Sequence, residues 1–381
     1  MTDVGLYVHV PFCPRKCGYC DFYSITPDDS LVAGYIDAVL SELDAVVAED
    51  RVRVETIFVG GGTPTILPES SLARLMEHLA QIYRVHRVVE FSVEANPASL
   101  TEEKAFLLRE AGVNRVSIGA QSFVPAELEI LERLHRPEDI AAGVELARRA
   151  GFEHLNLDLI FGVPGQTLDT WNRSLGAAID LGPDHVACYG LTYEPGTPLA
   201  VRRDCGQITP VDEEVETEMY MRAIDRMAEA GFQQYEISNF ARPGAECQHN
   251  LRYWRNRPGI GVGPAAASYL NGCRWRNVVS VEEYIARVRA GRSTAVDVEC
   301  LTPVERAGEI AMLRLRTNEG ILCEEFRAET GYDAQELFAE AIRSHCRAKL
   351  LTADDDRIAL TRKGLLVADA VIRDFLKPSG C

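Results

Sequence analysis

The run Val10-Pro11-Phe12-Cys13-Pro14-Arg15-Lys16-Cys17-Gly18-Tyr19-Cys20 sets three thiols within eight residues, separated by three residues and then by two. Iron–sulfur and zinc sites usually take four protein ligands. A [4Fe–4S] cube held by only three thiolates keeps one iron open to a small ligand, and chemistry starts at that iron. The stretch just before it, Val4-Gly5-Leu6-Tyr7-Val8-His9-Val10, reads as a strand, so the thiol loop leaves a strand's C-terminal end.

Outward from this loop, strand, turn and helix alternate to about residue 200. The β-rich runs 54–59, 88–94, 115–119, 155–160 and 185–189 make six strands with the first. Leu31, Tyr35, Val39, Leu43 and Val46 share one helical face behind a Ser30 cap, and Thr101-Glu102-Glu103 opens a helix that stops at Gly112. Six β/α units are too few for a closed eightfold barrel. They predict an α/β fold with a partial, TIM-like (β/α)6 barrel, whose working residues gather where the strands end. The polar residues obey that rule. Gly60-Gly61-Gly62-Thr63-Pro64 follows strand two, Glu94 ends strand three, Gln121 lies just past strand four, Asp158 is late in strand five, and Tyr189 closes strand six.

Residues 1–240 read as this barrel core, with a helix over 213–231 and a short strand at 234–237 extending it. Residues 241–300 read as a linking layer, because 241–277 is rich in Arg, Asn, Gly and aromatics without a period. Residues 301–381 predict a mostly helical, winged-helix-like domain, with a hairpin around Asp354-Asp355-Asp356 and a last helix over 363–376. In an acidic chain such a domain is expected to pack on protein.

The formal net charge of −17 and pI near 5.0 argue against binding to nucleic-acid phosphates. With 46% apolar residues the chain can build substantial cores. Its 11 cysteines, with neither a signal-peptide pattern nor a long apolar run, argue for a reducing cytoplasm and against a disulfide framework. Beyond the triplet the thiols are scattered (Cys188, Cys205, Cys247, Cys273, Cys300, Cys323, Cys346, Cys381), and most read as small buried hydrophobes.

Each candidate has a plainer reading. The triplet could be a structural zinc site completed by His9 or a distant thiol, but no second Cys-x-x-Cys supplies the usual partner pair. The glycine run could be only a tight turn; beside the thiol loop, its backbone would also suit a ligand ammonium group. Glu94 and Asp158 fall in strands buried on both faces, so each needs a partner, whereas Gln121 and Arg133 could be solvated. His249-Asn250-Leu251-Arg252-Tyr253-Trp254 could be a satisfied interior histidine with aromatics covering the barrel's open end, or a heme ligand, with Cys247 a second soft candidate.

Taken together, Cys-x-x-x-Cys-x-x-Cys and Gly-Gly-Gly-Thr-Pro resemble the radical S-adenosylmethionine (SAM) superfamily. The runs 7–13, 92–97, 118–123, 158–165 and 191–197 resemble its branch of oxygen-independent coproporphyrinogen III oxidases (HemN) and heme chaperones (HemW). Three features are similar to the chaperone side. Cys20-Asp21-Phe22 lacks the oxidases' fourth cysteine, only six residues precede Tyr7, and residues 249–254 match His-Asn-x-x-Tyr-Trp, which is implicated in heme handling.

The resemblance implies that Cys13, Cys17 and Cys20 hold a [4Fe–4S] cluster and that SAM meets its fourth iron. Tyr7, the backbone at Tyr19, Gly62, Thr63 and Glu94 would contact SAM. Gln121, Arg133 and Asp158 match oxidase positions lining the site. It further implies heme binding involving His249, apo-cytochrome clients at a membrane face, and a possible homodimer. Oxidative decarboxylation of coproporphyrinogen III is the competing activity.

Overall fold

The computed structural model describes residues 1–48 and 52–376, so Cys381 lies outside the described residues. Six strands carry the barrel: β1 (Thr2–Val10), β2 (Val52–Gly61), β3 (Glu90–Ala95), β4 (Arg115–Gln121), β5 (His154–Phe161) and β6 (His185–Gly190). All five pairings between them are parallel, and helices cross over between successive strands. This is the expected α/β partial barrel. The first helix, Asp29–Ala48, is capped two residues earlier than expected: Asp28 Oδ1, not Ser30, accepts from the Ser30 and Leu31 amides at 3.1 and 3.2 Å.

Past β6 the chain adds β7 (Gln233–Gln234) and β8 (Asn239–Ala241) antiparallel at one edge. The expected strand over 234–237 shrinks to that two-residue β7 and a single bridge from Glu236 to Thr317. At the other edge, the unperiodic stretch after residue 241 is not a loop layer. It forms a helix, Gln248–Trp254, then β9 (Gly259–Val262), β10 (Ala267–Leu270) and β11 (Cys273–Asn277). β9 pairs parallel with β1, and β10, β11 and β12 (Ala295–Cys300) follow antiparallel, giving the order β12-β11-β10-β9-β1-β2-β3-β4-β5-β6-β8-β7. These strands are too short for a period-two signal. Gly261 in β9 must also lack a side chain, because a Cβ there would stand 2.4 Å from the Ala267 carbonyl.

Pairing of β11 with β12 sets Cys273 opposite Cys300, and the two form a disulfide. That corrects the reading of the scattered thiols: Cys188 and Cys247 are buried, Cys205 is exposed, and Cys323 and Cys346 are half-buried. A cross-strand pairing at this distance in sequence leaves no local signature.

A separate apolar cluster, with Ile310, Leu315, Phe326, Phe338, Ile358 and Phe375 at its centre, holds the C-terminal part. Around it stand helices and a three-stranded sheet of β13 (Ile321–Leu322), β14 (Leu351–Ala353) and β15 (Arg357–Leu360) in the order β13-β15-β14. The final helix is broken into Arg362–Leu365 and Ala368–Arg373, where Val367 leaves the helical backbone.

Candidate functional site

Period two decides the barrel interior. Leu6 and Val8, Ile57 and Val59, Phe91 and Val93, Val116 and Ile118, Leu157 and Leu159 are buried in the main core. Their alternates, Tyr7, Phe58, Glu94, Arg115, Ser117, Asn156, Asp158, His185 and Tyr189, line a cavity of about 400 Å³. Strand register aligns them in rungs: Tyr7, Phe58, Ser92 and Arg115 lie side by side, as do Glu94, Ser117, Asn156 and His185. A barrel interior is usually filled by branched apolar chains. This one is polar and open.

At the strands' C-terminal ends, the thiol loop is closed at its base: Cys13 N donates to Ile25 O and Ile25 N to Pro11 O, at 3.0 and 2.9 Å. Cys13, Cys17 and Cys20 are free and half-buried. Thr63 Oγ1 lies 3.6 Å from Cys13 Sγ, and Arg133 Nη1 donates to Cys17 Sγ at 3.7 Å while its Nη2 donates to Gly119 O at 2.8 Å. Among the described residues, no three His, Cys, Asp or Glu side chains converge as the ligands of one ion do. A tetrahedral zinc would draw thiolates to about 3.8 Å of one another, given Zn–S near 2.3 Å, whereas a cube spreads them over separate irons. His9 is no fourth ligand in this arrangement: Nε2 donates to Tyr23 O and Nδ1 accepts from the Tyr7 hydroxyl, both at 3.0 Å.

The glycine run touches everything around it. Gly61 N donates to Glu94 Oε2 at 3.0 Å, Gly62 N to Val10 O at 2.8 Å and Thr63 N to Phe12 O at 2.7 Å. A Cβ on Gly60 would meet Glu94 Oε2 at 2.6 Å, and one on Gly61 (φ +105°) the His9 ring at 2.4 Å. Tyr19 packs its ring beside Leu131, Ile160 and Leu199, and Leu199 N donates to Gly18 O at 2.8 Å. Gln121 adopts φ +66° at a register shift between β4 and β5.

The two acids have different surroundings. Burial and the neighbouring Asp158 charge push the Glu94 carboxyl up to about 7. Asp158, also raised by burial, is held by Ser117 Oγ at 2.9 Å and Asn156 Nδ2 at 2.8 Å. The chain continues from Asn156 Oδ1 to His185 Nδ1 at 2.6 Å and from His185 Nε2 to the Tyr235 hydroxyl at 2.8 Å, which takes the Cys247 amide at 3.4 Å.

The far wall of the cavity is the helix Gln248–Trp254. Its N-terminus is held by a carboxylate that sequence reasoning did not single out. Glu90 accepts from Gln248 N and His249 N, both at 2.9 Å, from the Cys247 thiol at 3.3 Å and from Arg115 Nε at 3.0 Å. Arg115 Nη2 donates to Ala245 O and Glu246 O at 2.9 and 3.2 Å. Burial raises the Glu90 carboxyl, but Arg115 and the helix donors outweigh it and hold the pKa below the ordinary value. The signal was available: Glu90 lies four residues before Glu94 in one strand and therefore on the same face.

His249 is enclosed, as the plainer reading expected. Nδ1 bonds Thr56 Oγ1 at 2.8 Å, Nε2 bonds the Tyr253 hydroxyl at 3.0 Å, and Phe58 stacks on the ring. Burial lowers its pKa to about 3. Cys247 is buried too, and burial pushes its thiol pKa up.

With this geometry in view, comparison with known proteins narrows the family. Residues 7–178 match the Radical SAM superfamily and residues 301–367 the HemN C-terminal domain. The protein named heme chaperone HemW from Bacillus subtilis (strain 168) is 36% identical, covering 97% of this chain and 98% of the relative. Those of Mycobacterium tuberculosis (strain H37Rv) and Escherichia coli (strain K12) are 38% and 33% identical, covering 98% and 99% of this chain and 94% and 99% of theirs. The chain belongs to the HemW family of radical SAM proteins. Membership of this family implies a [4Fe–4S] cluster and SAM. The solved structure of coproporphyrinogen III oxidase (HemN) from Escherichia coli superimposes with a TM-score of 0.84 over 98% of this chain and 90% of that one; at 24% identity it speaks for the fold alone. No helix among the described residues is long and apolar enough to cross a membrane.

Proposed function

We propose that this chain is a heme chaperone: it binds heme beside a radical SAM centre and hands it to apo-cytochromes. One observation carries the reading. The His249–Trp254 helix is fixed by a buried ion pair beside a cavity that is also lined by Gly61 of the glycine run and by Phe22, two residues past Cys20. Cys13, Cys17 and Cys20 are the cluster ligands, and their setting fits: all three thiols are free and half-buried, and Arg133 donates to one of them. The cluster, when bound, supplies an electron to SAM.

The protein's own residues do the rest. Gly62 and Thr63 hold the loop close to SAM, and Tyr7, oriented by His9, forms one wall. Glu94 and Asp158 accept the donors of SAM from one rung apart, while Gln121 and Arg133 brace the strand-four end. The protein works in the cytoplasm, as a dimer that delivers to membrane-bound clients.

The test is a hemin titration of the anaerobically reconstituted chain, run beside an assay with SAM, reductant and coproporphyrinogen III. Stoichiometric heme binding without decarboxylation is expected. Protoporphyrinogen formed at a catalytic rate would replace the chaperone with the oxidase, and failure to bind hemin would remove the chaperone reading.

A further inference from the structure

Within the motif helix, the atom that can reach an incoming iron is not on the histidine. His249 is 2% exposed, both ring nitrogens are in hydrogen bonds, one ring face is covered by Phe58, and its amide is tied to Glu90. The ring lines the cavity, yet binding iron through either nitrogen would break its bond to Thr56 or to Tyr253. Tyr253, four residues on and so on the same face, is 41% exposed and lines the cavity. Among the described residues its hydroxyl has one partner, His249 Nε2. Cys247 is excluded by its partner: its thiol donates to the Glu90 carboxylate, which would repel a thiolate. The same cavity is rimmed by Phe22, 65% exposed, and Tyr189, which offer apolar edges to a flat macrocycle.

We infer that Tyr253 supplies the oxygen ligand to ferric heme, with His249 as its hydrogen-bonding support rather than the ligand. This rests on the chaperone reading above and specifies its ligand. A neutral His249 with its proton on Nε2 donates to the Tyr253 oxygen, and the Thr56 hydroxyl donates to Nδ1. When ferric heme arrives, an Fe–O bond forms and the phenol O–H breaks; the proton leaves to water along the exposed side, and no electron moves. Tyrosine oxygen is an established class of heme axial ligand, and a cation alongside favours the phenolate. Ferrous heme, without a net charge on its core, binds this oxygen less well.

The experiment is hemin titration of the full chain, followed by absorbance and electron paramagnetic resonance, with Tyr253→Phe and His249→Gln. Tyr253→Phe keeps the ring and the packing. It is expected to remove the high-spin phenolate charge-transfer band and weaken hemin binding by about tenfold or more. His249→Gln keeps a donor toward the oxygen and should retain the phenolate spectrum with a shifted band. An unchanged spectrum and affinity in Tyr253→Phe, or loss of the axial ligand only in His249→Gln, would overturn the assignment while leaving the chaperone reading intact. Absence of hemin binding by the wild-type chain would remove that reading itself.

Discussion

Replacing Glu90 with Gln should loosen the motif helix without touching the thiol loop. Glu90 and Arg115 are 4% and 3% exposed, and their side chains meet at 3.0 Å. The glutamine fills the same volume but removes the charge opposite Arg115, whose Nη2 keeps the Ala245 and Glu246 carbonyls as acceptors. Breaking a buried pair by removing one partner costs about 3–5 kcal/mol. Glutamine also presents an amide toward some of the four donors that Glu90 satisfies, so the loss should sit at the upper part of that range. The double variant Glu90→Gln/Arg115→Met removes the stranded charge and should regain part of it. Denaturant unfolding of the cluster-free chain measures all three. Hemin affinity should fall in the single variant, while the visible absorbance of the reconstituted cluster stays as in the wild type. A single variant within about 1 kcal/mol of wild type, or a double variant no better than the single, would refute the argument that the pair fastens this helix.

Cys17→Ala should abolish the visible absorbance of the reconstituted cluster; an unchanged spectrum and iron content would contradict its role as a ligand. Gly61→Ala puts a Cβ at 2.4 Å from the His9 ring at φ +105° and should cost roughly 2–4 kcal/mol in unfolding experiments. Glu94 keeps its proton to about pH 7 in the folded chain against an ordinary value of 4.5, so the folded state binds the extra proton between those values. Its contribution to stability is present below pH 4.5 and is lost as pH rises through 7, a change of roughly 3 kcal/mol that Glu94→Gln should remove from the pH dependence of the cluster-free chain's melting.

The six parallel strands were legible because each combines a β-branched run with a polar end, and because helical periods separate them. The rim followed from strand order alone. What lay outside that signal was made by contacts between distant segments. β9 exists because Gly259–Val262 finds the free edge of β1, and the Cys273–Cys300 bridge because β11 and β12 pair. Glu90 lies inside the 88–94 strand run, but its partner, Arg115, begins the next one, and the helix they hold starts more than 130 residues later. Asp28 takes the cap expected of Ser30 because three consecutive residues, Asp28, Asp29 and Ser30, all have capping side chains, and position alone does not choose among them.

The same contrast explains why the barrel interior is polar. Apolar alternates in each strand face the helices and hold the fold, which frees the inner set from a packing role. Inner polar groups left without partners would cost more than an apolar filling. They are therefore linked: Asp158 through Asn156 and His185 to Tyr235, and Glu90 through Arg115 to the residues before the motif helix. Among the described residues, Glu94 and Tyr253 each bond to one protein partner, Gly61 N and His249. A ligand gains most where the protein has left bonding capacity unused. The two sparsely bonded groups thus mark two places at which the chamber meets its occupants, a carboxylate beside the glycine run and a phenol on the motif helix.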